Sequence, residues 1–126
     1  MTILTEGSRK ADFMVSEANA YRSRDQGTVT VPANTTLASG TILGAITSTG
    51  KFVRQDTAAV DGSEVHAGVL FEPLVNDTGA AVDAVATIVA RDAEVEKAKL
   101  TYEASATAGE ITAADAALAG LGIIVR

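Results

Sequence analysis

The feature that most constrains this chain is a change of material at Gly27. Beyond it the sequence is β-patterned, rich in Ala, Thr and Gly, and punctuated by turn signals; before it, residues 1–26 hold no Pro, no Cys and a single Gly, Gly7. In that first stretch four acids (Glu6, Asp12, Glu17, Asp25) balance four bases (Arg9, Lys10, Arg22, Arg24). Small apolar groups, Ile3-Leu4 and Phe13-Met14-Val15, stand among them without the sustained period of an amphipathic strand or helix. Such a segment cannot build a core alone. The expected organisation is a compact body, a single mainly β domain with a short helix at residues 27–126, carrying an adhesive N-terminal arm at residues 1–26.

The body of about 100 residues supports one modest core. With three Phe, two Tyr and no Trp, that core must be made mostly of Val, Ile, Leu and Ala. Zero Cys excludes a disulfide scaffold and thiolate metal sites, and no apolar run approaches the roughly 20 residues of a membrane span. Met1-Thr2-Ile3-Leu4 is followed at once by charged residues rather than by a signal-peptide core, so an intracellular product is expected. The whole net charge of −6 falls on the body, which argues against nucleic acid as a partner because phosphate backbones select basic patches.

Along the body, Thr28-Val29-Thr30-Val31 closed by Pro32 predicts a short edge strand. Residues 41–47 and 51–54 flank Ser48-Thr49-Gly50 and predict a hairpin with Gly50 free to take positive φ. Asp56 to Gly62 reads as a loop. Val65 to Phe71 reads as a strand in which Gly68 marks a bulge or a close backbone approach, ended by Pro73. Asn76-Asp77-Thr78-Gly79 is a turn signal, and one strand is expected from Val82 through Val89 into Val95. Thr112 with Asp115 three residues later predicts a two-turn helix ending at Gly120, docked by Leu118 and Leu121. Ile123-Ile124-Val125 predicts a buried terminal strand.

Motifs with catalytic associations are weak. Asp77-Thr78-Gly79 matches the signature of aspartic proteases, in whose dimeric forms two Asp share a proton. Asn76, however, replaces the apolar strand residue expected before it and makes a turn of the same four residues. Asp61, Ser63 and His66 supply triad residue types but lie within six positions, whereas a triad converges from separate elements around an oxyanion hole. With His66 the sole His and no Cys, a transition-metal site has little support. Gly40 to Gly44 lacks the Lys of a phosphate loop. No catalytic, cofactor or metal residues are therefore assigned. The run Arg91, Asp92, Glu94, Glu96, Lys97, Lys99 is read as a solvated strand end, with an intersubunit salt-bridge site as the alternative.

Taken together, the chain resembles the tailed-phage head decoration proteins of the lambda D type over essentially its whole length. The resemblance is carried by Phe13-Met14-Val15-Ser16-Glu17-Ala18-Asn19 with Ser23-Arg24, by Leu37 through Gly44, by Gly50-Lys51-Phe52-Val53, and by Asp61 through Leu70. It continues through Ile88-Val89-Ala90-Arg91-Asp92-Ala93-Glu94-Val95 and Leu121-Gly122-Ile123-Ile124-Val125-Arg126. It implies a β-clip body and homotrimers on the outer surface of the virion capsid, at threefold and quasi-threefold positions, that stabilise the expanded head against internal DNA pressure. It also implies that the arm, residues 1–26, is flexible and disordered when free and becomes ordered on the major capsid protein by adding a strand to a sheet there. Compared with shorter lambda-like members, this chain has a longer charged arm and no Trp.

On this reading Ile3, Leu4, Phe13, Met14 and Val15 are the capsid-binding residues. Ordering backbone costs about 1–2 kcal/mol per residue, and burying an apolar side chain returns about 1.5–3. Five side chains therefore cannot order such an arm unaided. Main-chain pairing with a sheet edge and presentation of three arms by one trimer supply what is missing. The alternative is another oligomeric phage binding module, a tail or host-surface adhesin; a dimeric aspartic protease through Asp77-Thr78-Gly79 is a remote third.

Overall fold

A computed structural model describes residues 3, 7 and 9–126. Among them ten strands and one α-helix follow one another: β1 (Met14–Glu17), β2 (Arg24–Val31), β3 (Thr35–Leu37), β4 (Ile42–Ala45), β5 (Phe52–Arg54), β6 (His66–Leu70), β7 (Leu74–Asn76), β8 (Val82–Val89), β9 (Ala93–Val95), α1 (Ala108–Gly120) and β10 (Ile123–Val125). The fold is thus mainly β with one helix, as expected.

Five strands close a barrel in the order β2-β5-β4-β6-β8, and β3 and β7 form a separate two-stranded ribbon. Beside the barrel lies a three-stranded sheet, β1-β9-β10, in which β1 runs antiparallel and β10 parallel to β9.

Two cores result, and the barrel wall separates them. Leu43, Leu70 and Ile88 point into the barrel with Val29, Val31 and Ala86. Their chain neighbours Ile42, Val69 and Val89 point outward, because successive strand residues face opposite sides. Ile42 pairs with Val69 and Val69 with Val89, so the outward residues form one apolar row across three strands. The small sheet and α1 cover that row with Phe13, Val95, Ala114, Leu118 and Ile123. This accounts for the doublets Ile42-Leu43, Val69-Leu70 and Ile88-Val89: both faces of the wall are buried.

Several sequence expectations are met. β4 and β5 form the hairpin, with Leu43 opposite Arg54 and Ala45 opposite Phe52, and Gly50 takes φ +70°. Gly68 marks a close approach: a Cβ there would lie 2.7 Å from Ile88 Cγ2 and 2.8 Å from the Val89 carbonyl oxygen.

Others are corrected. β2 is no edge strand: it pairs with β8 over all eight residues and touches β5 at Val29–Phe52. The strand expected from Val82 to Val95 breaks between Val89 and Ala93, where Asp92 adopts φ 49° and redirects the chain into the second sheet. The helix begins five residues earlier than expected. Its N-cap is Thr107, whose hydroxyl accepts the Glu110 amide at 3.2 Å while the Glu110 carboxylate accepts the Thr107 amide at 2.8 Å. Thr112 lies inside the helix, donating to the Ala108 carbonyl. Gly120 is its last residue, and the left-handed residue after it is Gly122, at φ 84°. β2 begins at Arg24 and crosses the 26/27 boundary, and upstream of it Phe13 is buried in the core with Ala11 and Met14 packed against the same cluster.

Candidate functional site

The five residues expected to bind the capsid have different fates. Phe13 is fully buried, at 0% exposure, in the core between barrel and small sheet. Met14 is half-buried against the same cluster, and Val15 is 53% exposed on β1. Ile3 is 83% exposed; Leu4 lies outside the described residues. The sequence signal for Phe13 was an apolar triplet without period, which does not distinguish a residue buried in its own chain from one buried in a partner.

β1 is an outer strand of its sheet, with β9 as its strand neighbour. A register shift between Met14 and Ser16 puts an irregularity at Val15, so this edge bends where its exposed apolar side chain sits.

The root of the N-terminal segment is docked on Phe71. The Ala11 amide donates to the Phe71 carbonyl at 2.8 Å, and Lys10 Nζ lies 5.3 Å from the centre of the Phe71 ring. The Arg24 guanidinium also faces that ring, at 4.2 Å, and faces the Tyr21 ring at 4.7 Å. Its Nε and Nη2 donate to the two Glu17 carboxylate oxygens at 2.9 and 2.5 Å, a bidentate pair that fixes the plane of the stack. Asp12 pairs with Lys99 at 3.4 Å.

Between β1 and β2 the chain turns through Ala20 and Tyr21, both left-handed at φ 61° and 57°. Ser23, fully buried, secures this turn: its hydroxyl accepts the Ala18 amide at 3.0 Å and donates to the Asp92 carbonyl at 3.1 Å. Tyr21 is held outward, exposed, with Arg24 against its face.

The catalytic-looking groups take structural roles. Asn76 is buried, and its amide nitrogen donates to the carbonyls of Val31, Pro32 and Ala80, while its oxygen accepts the Thr78 amide and hydroxyl. Asp77-Thr78-Gly79 is therefore the exposed tip of a turn that Asn76 closes. Ser63 donates its hydroxyl proton to Asp61 at 2.6 Å rather than to His66, and with the Ser63 amide this holds the Asp61 carboxyl below its usual pKa. Burial lowers the pKa of His66, with Glu103 opposing.

The charged run of residues 91–99 cross-links this chain to itself. Arg91 pairs with Asp25, Asp92 with Arg22, Glu94 with Arg126 at 3.0 Å, Lys97 with Asp115 at 2.8 Å, and Lys99 with Asp12. The Tyr102 hydroxyl donates to the other Asp115 oxygen at 2.5 Å, and burial together with this bond raises the phenol's pKa well above its ordinary value.

Comparison with individual curated proteins finds no match. The family model of the bacteriophage lambda head decoration protein D, by contrast, matches residues 3–123, so its match runs from the exposed Ile3 through the Phe71-docked segment to β10. The chain accordingly belongs to the bacteriophage lambda head decoration protein D family, structural virion components located on the capsid surface.

Proposed function

We propose that this decoration protein binds the expanded head as homotrimers at threefold and quasi-threefold positions. There it stabilises the shell against internal DNA pressure, with its N-terminal segment adding a strand to the major capsid protein. A protein that binds only the assembled lattice stabilises it by mass action, and no reactive group is required.

The observation that carries this reading is the placement of the N-terminal apolar residues in a chain matched by the family from residue 3 onward. Phe13 anchors the segment in the body's core, while Ile3 stands exposed upstream and Val15 stands exposed on an outer strand. An anchored root with an exposed extension and an adjacent strand edge is the arrangement that main-chain pairing with a partner sheet uses. The acidic body favours solubility on an outward-facing surface.

Electron cryomicroscopy of undecorated expanded heads incubated with the protein tests the reading. Three copies around each threefold and quasi-threefold position, each with N-terminal density continuing a capsid-protein sheet, is the expected image. Density at other sites, or none, overturns it.

A further inference from the structure

We infer that Asp61–Gly62 is the site at which this chain forms isoaspartate, and that Ser63 and Glu64 hold it inert in the folded protein. The site lies outside the N-terminal segment, and its chemistry does not depend on capsid binding.

The reaction needs no catalyst and no partner but water. The Gly62 amide nitrogen bonds to the Asp61 side-chain carboxyl carbon, and the amide proton leaves with the carboxyl's hydroxyl as water, closing a succinimide ring. Water then opens the ring at either carbonyl. One opening returns aspartate; the other leaves isoaspartate, whose main chain runs through the former side chain. A side chain on the following residue crowds ring closure, and glycine has none. Asp61 is the only Asp or Asn in the sequence that Gly follows.

The fold demands both members of this pair. Gly62 sits at φ 104°, and a Cβ there would collide with the Thr47 hydroxyl and lie 2.8 Å from the Ala45 carbonyl oxygen. A bulkier residue, which would slow ring closure, is thereby barred. Asp61 closes the turn that follows: its Oδ1 accepts the Ser63 amide at 3.0 Å and the Ser63 hydroxyl at 2.6 Å.

The same bonds block the reaction. An ionised carboxylate has no hydroxyl to lose, and the two Ser63 bonds favour the ionised form, in keeping with the lowered pKa of Asp61. Ser63 is 3% exposed, so solvent competes little for its hydroxyl. The nucleophile is engaged as well. The Gly62 amide donates to Glu64 Oε2 at 2.8 Å, and the negative charge beside it opposes loss of the amide proton. Rotation of the Asp61 carboxyl onto the Gly62 nitrogen is hindered on both sides: the Asp61 carbonyl accepts the Thr47 amide at 2.9 Å, and Ser63 packs so closely on Gly44 that a Cβ at Gly44 would run into the Ser63 carbonyl.

The full-length protein, incubated at neutral pH either folded or in urea, tests this by peptide mass spectrometry with electron-transfer fragmentation, which separates isoaspartate from aspartate. In urea, isoaspartate should accumulate at Asp61 ahead of every other Asp. In the folded protein it should form at least about tenfold more slowly, because the reaction waits for local opening. Ser63→Ala, checked by its denaturation midpoint to be folded, should raise the folded rate about two- to tenfold, as loss of one hydroxyl bond to the carboxylate does. Glu64→Ala frees the amide instead and should act in the same direction, so either variant carries the test if the other does not fold. Equal rates folded and in urea, no accumulation at Asp61 in urea, or folded variants that form isoaspartate no faster than the parent, overturns the assignment.

Discussion

The Phe13 carbonyl accepts the Glu96 amide at 2.7 Å while the Phe13 ring lies at 0% exposure under the barrel wall. That pairing makes the N-terminal segment part of the folded body up to Phe13 and separates two kinds of apolar residue within it. Phe13→Ala should cost about 3–5 kcal/mol in chemical denaturation, the range for a buried Phe. Ile3→Ala should leave the denaturation midpoint unchanged and weaken binding to heads. A Phe13→Ala protein of undiminished stability would contradict the placement.

The helix N-terminus offers a second check. Thr107→Ala removes the hydroxyl that accepts the Glu110 amide and should destabilise the protein by about 1 kcal/mol. Thr112→Ala, at the N-cap position that sequence pattern suggests, removes only a bond to the carbonyl four residues back and should change stability by less than about 0.5 kcal/mol. The reverse order of effects would move the helix start.

Stability should fall in two acid steps. Burial lowers the pKa of His66, so the unfolded chain takes up a proton there before the folded one does. The contribution of neutral His66 is therefore complete above its unfolded pKa of about 6.5 and is lost as pH falls through the lower folded value. Asp83, whose pKa is lowered by hydrogen bonds from Lys51 at 2.6 Å and Thr30 at 2.6 Å, acts with the same sign in the carboxylate range. Denaturation midpoints measured across pH should lose the first step in His66→Gln and weaken the second in Asp83→Asn. A midpoint that rises as pH falls below 6.5 would contradict the His66 assignment.

Ala20 and Tyr21 give a backbone test. Both hold left-handed φ, at 61° and 57°, in the turn that Ser23 secures. Ala20→Gly should be neutral to stabilising by up to about 1 kcal/mol, since relief of the left-handed cost exceeds the added unfolded-state entropy. Ser23→Ala should destabilise by about 0.5–1.5 kcal/mol: it removes the hydroxyl's two hydrogen bonds, while the Ala18 amide still donates to the Asp92 carbonyl at 3.1 Å.

How much of this was legible depends on the range over which each residue's signal acts. The β4–β5 hairpin, β8 and the turn at Asn76 follow from local pattern, as do the outward and inward faces of Val69-Leu70 once both are known to be buried. The helix start is written in Thr107 and Glu110 as a capping box, but Thr112 with Asp115 repeats the same spacing inside the helix and drew the expected N-cap there. The role of Phe13 was not legible. Its burial depends on β9 and β10, some eighty and more residues away, and a neutral segment without period carries no mark of which sheet will enclose it. The same non-local pairing hid the break at Asp92, where a strand that looks continuous changes sheets. Among the capsid-binding candidates, composition marked the apolar residues but could not separate the anchor from the exposed positions.

The most direct test of the central claim is binding of two chains to undecorated expanded heads: the full-length protein and one beginning at Ala11. A cut near Gly27 would remove Phe13, β1 and part of β2, so loss of binding would report unfolding rather than loss of the arm. The Ala11 chain retains all three, and its denaturation midpoint should match that of the full chain. The account predicts that it fails to decorate heads at concentrations where the full chain saturates them, whereas equal saturation by both chains would contradict the arm's role.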